Sequence, residues 1–198
     1  MPARKRIGTR SPRAYQVKVT LLGVRPPVWR RIQVRSDITL GDFHEILQAV
    51  MGWTDCHMHQ FNVHGLRHAV QRPWQPIERD EEPRTRLMDL LGRPKERILY
   101  EYDFGDGWEH EILLEQIDDH EHGARYPWVL DGRRACPPDD VGGVSGYERF
   151  LRVISDAGHP EHEEMLEWCG GSFDAAAFDV QAANRTFHGG WAPKRPNG

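Results

Sequence analysis

Cysteine is scarce in this 198-residue chain: Cys56, Cys136 and Cys169 are odd in number, widely spaced and form no Cys-x-x-Cys pair. That pattern argues against a disulfide framework and for reduced thiols in a cytoplasmic protein. No run approaches the roughly 18 apolar residues of a membrane span. The N-terminus has no apolar signal segment, so no membrane partner is expected. Acidic residues are missing from the first 36 positions, which hold ten Lys/Arg; the remaining sixteen Lys/Arg face all thirty Asp/Glu. A basic arm on an acidic body suits an anionic partner for the arm or attraction within the chain. Several catalytic signatures are also absent. The glycines before Ser145 lack Gly-Lys-Ser/Thr, and His162-Glu163 has no second histidine three residues on. Asp103-Phe104-Gly105 is preceded by no glycine-rich loop or His-Arg-Asp loop, which removes a kinase reading.

What is present centres on Tyr100-Glu-Tyr-Asp-Phe-Gly-Asp-Gly-Trp-Glu-His110. Ile98, Tyr100, Tyr102 and Phe104 alternate with polar residues, as do Trp108, His110, Ile112 and Leu114, which predicts a β-hairpin turning at Gly105–Gly107. A two-residue Asp106-Gly107 turn sets Phe104 opposite Glu109. A three-residue loop pairs Phe104 with Trp108, Tyr102 with His110 and Tyr100 with Ile112, and is preferred because one face stays apolar. Its other face sets Asp103 against Glu109 and Glu101 against Glu111, a repulsion that solvent, an arginine or a cation must relieve.

Along the chain, residues 1–13 read as a disordered arm in which Arg4, Lys5, Arg6, Arg10 and Arg13 are candidate nucleic-acid contacts, or else a solubilising tail. A single domain is expected over residues 14–187, with a loose tail over 188–198. Tyr15–Leu22 and Val28–Val34 alternate as strands around Pro26 and Pro27. Thr39 and Asp42 open a helix with Leu40, Phe43, Leu47 and Val50 on one face, and Gly52 ends it. Asp55–Val63 reads as a strand with His57, His59, Phe61 and Val63 on one side; Leu66–Arg84 reads as a long surface loop. Cys136-Pro-Pro-Asp-Asp-Val-Gly-Gly143 demands a specific backbone path. Ser145 and Glu148 form a capping box opening another helix. Pro160 suits the first turn of a helix through Trp168, and Asp174–Phe187 a last helix anchored by Phe178 and Phe187.

Histidines at i and i+2 on a strand share a face, a geometry that serves either metal ligands or core-mouth histidines bonded to backbone. His57, His59, Asp103 and His110 supply ligand types for a divalent metal, which makes such an ion the candidate cofactor. Asp106, Trp108, Asp139 and Asp140 are placed as pocket wall or outer shell. In the preferred hairpin register Asp103 and His110 point to opposite faces, which counts against their sharing an ion.

These motifs, with Pro27-Val-Trp-Arg-Arg-Ile32, Gly52-Trp53, His57-Met-His-Gln-Phe61, Gly146-Tyr147 and Trp168…Phe173-Asp174, resemble the plasmid pRiA4b open-reading-frame-three-like family over residues 14–187. The resemblance implies bacterial and archaeal relatives on plasmids, chromosomes and insertion elements, some labelled resolvases. Asp139 stands where the family often has glutamate, and Val141 where it has a second cysteine, so a two-cysteine site is not expected. The element order implies an α+β fold with a β-grasp-like core of hairpin, helix and mixed sheet, and a helical C-terminal segment.

Three functions follow as expectations: a non-enzymatic binding module associated with mobile elements, a divalent-metal protein with hydrolytic activity, and a DNA recombination accessory protein. A resolvase proper would need a nucleophile among arginines; Ser36 and Tyr15 lie in the basic region, without a recognisable constellation. If the arm contacts nucleic acid, affinity should fall with salt and vanish on deleting residues 1–13. Undiminished binding by the truncated chain would dismiss the arm.

Overall fold

The computed structural model describes residues 11–64, 74–77, 81–120 and 123–189. Arg4, Lys5, Arg6 and Arg10 of the arm, and most of the 188–198 tail, lie outside them. Among the described residues seven strands form one sheet: β1 (Arg13–Leu21), β2 (Trp29–Arg35), β3 (His59–His64), β4 (Trp74–Ile77), β5 (Arg97–Tyr102), β6 (Trp108–Asp119) and β7 (Trp128–Arg133). Their order is β4-β3-β5-β6-β1-β2-β7. The helices of the described residues are α1 (Leu40–Met51), α2 (Leu87–Leu90), α3 (Gly143–Ser155), α4 (His162–Trp168) and α5 (Val180–His188). The fold is α+β, and no helix among the described residues is long and apolar enough to cross a membrane. Every described pairing is antiparallel, where the β-grasp-like reading implied a mixed sheet.

Alternation in β1, β2, β5 and β6 buries one face of the sheet and leaves the other half-exposed. The wet face carries Arg31, whose guanidinium meets Glu115 at 2.6 Å. The dry face is covered by α1. Thr39 Oγ1 accepts the Asp42 amide at 3.1 Å, and Gly52 closes the helix at φ 89°. Leu40, Phe43, Leu47 and Val50 are buried as expected, and so are the polar His44 and Gln48 beside them. Arg30 on β2 is 1% exposed; it donates to the Val50, Trp29 and Arg133 carbonyls and lies 3.8 Å over the Phe178 ring. This cation meets the C-terminal end of α1, where partial negative charge accumulates.

The hairpin closes neither as two nor as three residues. Tyr102 pairs with Trp108, Tyr100 with His110 and Ile98 with Ile112. Asp103 causes the difference. It sits at φ 57°, its Oδ1 accepts the Gly105 and Asp106 amides, and its carbonyl accepts the Gly107 amide at 2.6 Å. These local bonds take Asp103 out of the ladder. The apolar face survives the shift, but Phe104 is left 45% exposed. Glu101 now faces Glu109, and Gln60 donates to Glu101; Arg97 pairs with Glu111 at 3.4 Å.

Other expectations need correcting. Within the presumed 66–84 loop, β4 adds an edge strand on β3, and Pro76 is tolerated at that edge. β3 begins at His59, so His57 precedes the strand. Ser145 and Glu148 do not cap α3, which starts earlier behind Gly142. The cause is a close approach: a Cβ on Gly143 would stand 2.5 Å from the Asp106 carbonyl oxygen, at φ 66°. Pro160 lies just ahead of α4 rather than in its first turn. The last helix begins only at Val180, capped by Asp179, because Phe178 is drawn onto Arg30.

Asn184 fastens α5 to β7. Its side chain accepts from Val129 N and donates to Val129 O, both at 2.8 Å, and donates to Val180 O. Asn184→Ala strands buried peptide groups and should cost about 1–3 kcal/mol in urea unfolding. A loss well under that range would mean that α5 is not docked through this residue.

Candidate functional site

Three segments that are remote in sequence meet at the tip of the hairpin. The stretch before β3 supplies His57, the β5–β6 turn supplies Asp103, and the Pro137–Gly143 segment supplies Asp140. His57 Nε2 lies 3.3 Å from Asp140 Oδ1 and 3.7 Å from Asp103 Oδ2. One ligand atom from each of the three lies within 4.8 Å of the others. An ion bound about 2.1 Å from each ligand requires only a small contraction of such a group.

Each member is held by backbone chemistry. Met58 O accepts the Asp103 amide at 2.9 Å, joining the His57 segment to the turn. Asp106 Oδ2 accepts the Gly142 amide at 3.1 Å, joining the turn to the glycine segment. Thr54 Oγ1 donates to Asp139 Oδ2 at 3.0 Å, and Trp53 Nε1 to Pro137 O at 3.0 Å, closing the triangle. Asp103 and Asp140 both adopt left-handed φ, at 57° and 59°, conformations that cost energy in residues with a Cβ.

Charge is not balanced here. His57 Nε2 is shielded from solvent and within ion-pair distance of two carboxylates, yet neither is aligned to hydrogen-bond it. Among the described residues no Lys or Arg pairs with Asp103 or Asp140. The Asp103 side chain is 9% exposed and that of Asp140 73%, so the group is buried on one side and open on the other. Asp140, expected in an outer shell, therefore faces His57 directly, while Asp106 and Asp139 serve as struts.

The remaining candidates go elsewhere. His59 turns towards α1 and stacks on His44. His110 is wholly buried, bonded through Nδ1 to Tyr100 O at 3.2 Å and edge-on to Trp53. Burial pushes its pKa down to about 4. Trp108 is a core residue stacked near Trp53, not a pocket wall. Burial pushes the Cys136 thiol up to about 12, which withholds a thiolate from this segment. Arg13 ends in an ion pair with Asp119 at 3.2 Å and a bond to Asp118 O. Ser36 is buried and accepts the Arg13 amide; the Tyr15 hydroxyl donates to Leu91 O. Neither is presented as a recombinase nucleophile.

The residues not anticipated from sequence are His44, Asp55 and Glu82. His44 was detectable in principle, as a polar residue on the arc of α1 bounded by Leu40, Phe43 and Leu47. Asp55 and Glu82 carry no such signal.

The fold and this tip define an α+β protein whose three motif segments are tied together at one hairpin. The chain belongs to the family described as plasmid pRiA4b ORF-3-like protein, which it matches over residues 13–182. It is similar to the uncharacterized protein y4hQ of Sinorhizobium fredii (strain NBRC 101917 / NGR234), 38% identical over 172 residues spanning 86% of this chain and 88% of that protein. It also resembles the crystal structure of MM3350 from Methanosarcina mazei Go1, a protein of unknown function. That match has a TM-score of 0.78 and 36% identity, covering 86% of this chain and 97% of that one.

His110 gives a pH test of the core beneath the site. Its folded pKa lies below the ordinary histidine value near 6.5, so the unfolded chain binds the proton first. Its contribution is intact above about pH 6.5 and is lost as pH falls towards about 4, at no more than about 1.4 kcal/mol per pH unit. Urea unfolding from pH 7 to 5 should weaken the wild type more steeply than His110→Gln. Equal slopes would show that His110 titrates normally.

Proposed function

We propose that this protein is a divalent-cation-binding module whose centre is His57, Asp103 and Asp140. The observation that carries the reading is the approach of two unneutralised carboxylates to one shielded imidazole nitrogen, held by strained backbone at two of the three positions. Strained conformations persist where the surroundings enforce them and cluster at ligand sites. One nitrogen with carboxylate oxygens, open on one side, suits a hard ion of the manganese or magnesium kind that keeps several waters.

The open side adjoins a groove of about 440 Å³ lined by Asp140, Arg149, Phe150 and Trp168 among others. Oxygen atoms of an anionic ligand would take the water positions on the ion, with the exposed Trp168 ring beside the rest of it; Arg149, paired with Glu161, would have to leave that partner to reach it. A hydrolytic form of the same reading would draw on Asp139, whose Oδ1 is buried and unpartnered and so is the carboxylate oxygen free to act as a base, while the ion would supply an acidified water.

Titration of chelator-treated full-length protein with manganese, read by paramagnetic resonance, should show a bound ion. His57→Ala and Asp140→Asn should each weaken it at least ~10-fold, comparable to losses seen when supporting shells are removed, with the circular dichroism unchanged. No bound manganese in the wild type, or wild-type affinity retained in both variants, would sink the reading.

A further inference from the structure

Beneath α1 lies a second group that the hairpin-tip centre does not use. His44 projects from α1, Asp55 from the α1–β3 connection, His59 from β3, and Glu82 from the segment before α2. His44 Nε2 stands 2.8 Å from Asp55 Oδ1, and His59 Nε2 stands 3.0 Å from Glu82 Oε2. The two imidazoles stack face to face with centroids 3.5 Å apart and planes within 8°. Ligand atoms of His44, Asp55 and His59 all lie within 4.8 Å of one another.

From this geometry we infer a divalent-metal site, buried on its imidazole side and open at Asp55, of two imidazoles and two carboxylates: His44, Asp55 and His59 stand within ligand range of one another, and Glu82 joins the group through His59. Two nitrogens and two oxygens make a donor set for zinc or a neighbouring first-row ion rather than for magnesium. Ligand atoms around a tetrahedral ion with bonds near 2.05 Å are about 3.3 Å apart. The two ring planes, nearly parallel in the stack, cannot both hold one ion in plane, so ion entry needs the imidazoles to swing out of the stack as each parts from its carboxylate.

Hydrogen bonding alone leaves the group unsatisfied. Glu82 is 4% exposed, yet its Oε1 has no partner, and neither has His59 Nδ1. Two neutral rings leave both carboxylates uncompensated, that of Glu82 in a poorly solvated place and that of Asp55 half-exposed, while two protonated rings would stack cation on cation. A divalent ion on the ring lone pairs matches both carboxylates at once. The supports around the site suit a ligand histidine: His44 Nδ1 lies 2.7 Å from the Tyr100 hydroxyl, which also accepts from Gln48 Nε2. Gln48 Oε1 accepts the Asp55 amide at 3.1 Å and so holds Asp55 at its left-handed φ of 57°. A cavity of about 530 Å³, bordered also by Asp42, Glu45 and Pro83, gives an entry route with negative charge at its mouth.

The test uses full-length His57→Ala protein, which removes the hairpin-tip centre and leaves this group intact. After chelation and addition of zinc sulfate, elemental analysis should find one zinc per chain. The ¹⁵N imidazole shifts of His44 and His59 should move together. Adding Glu82→Gln or His59→Gln should weaken zinc at least ~100-fold, the upper end of losses seen for outer-shell partners alone. Absence of zinc from His57→Ala, unmoved His44 and His59 shifts, or undiminished zinc in the added variants would each overturn the site. Because the shift measurement needs no change to the four ligands, misfolding of an added variant leaves the proposal decidable. The hairpin-tip reading is decided separately, by whether His57→Ala and Asp140→Asn weaken manganese.

Discussion

The hydroxyl of Tyr100 is the hinge of the interior. It sits on β5 under α1, where an apolar side chain would ordinarily be expected, and binds His44 and Gln48, one helical turn apart. A buried hydroxyl or imidazole left without a partner costs on the order of 1–3 kcal/mol. Helix α1 must therefore settle at one height and one rotation over the sheet to satisfy all three groups. Gln48 passes that constraint on to the Asp55 amide. Asp55 leads through Cys56 to His57 and His59. A hydrophobic contact could not transmit position this way, because apolar packing is non-directional.

The same constraint separates two sites along five residues. Asp55 and His59 turn in towards His44, while His57 turns out to the hairpin tip. On the outer side the fold meets a second directional demand, made by backbone rather than side chains. Asp103 bends the β5–β6 turn, Asp106 receives the Gly142 amide, and only a glycine at 143 allows the two segments so close. Strain at Asp103 and Asp140 aims two carboxylates at one imidazole. Arg30, pinned between the end of α1, β7 and Phe178, holds the rest of the scaffold against which this strain is kept.

Much of this was legible in the residues. Alternation over β1 and β2, then Thr39 and Gly52, announced the opening hairpin and helix because each signal is local. The apolar face of β5 and β6 was legible too, since period two fixes it whatever the turn. Its register was not: the Asp103 side chain competes with the ladder, a choice that alternation does not reveal. Ser145 and Glu148 offered a plausible cap that the contact between Gly143 and Asp106 overrides from across the molecule. For the sites, residue types came through better than partnerships. His57 and Asp103 do meet, but His59 and His110 leave them, because β3 begins after His57 and His110 belongs to the core. Asp140 moves from support to direct neighbour. Glu82 reaches its group only through tertiary folding, so no spacing rule could have named it.

The most direct measurement of the central claim is anomalous diffraction from crystals of the wild-type protein soaked in manganese. The account predicts a peak bounded by His57 Nε2 and the carboxylates of Asp103 and Asp140. A map without that peak, with His57 Nε2 instead bonded directly to Asp140, would contradict it.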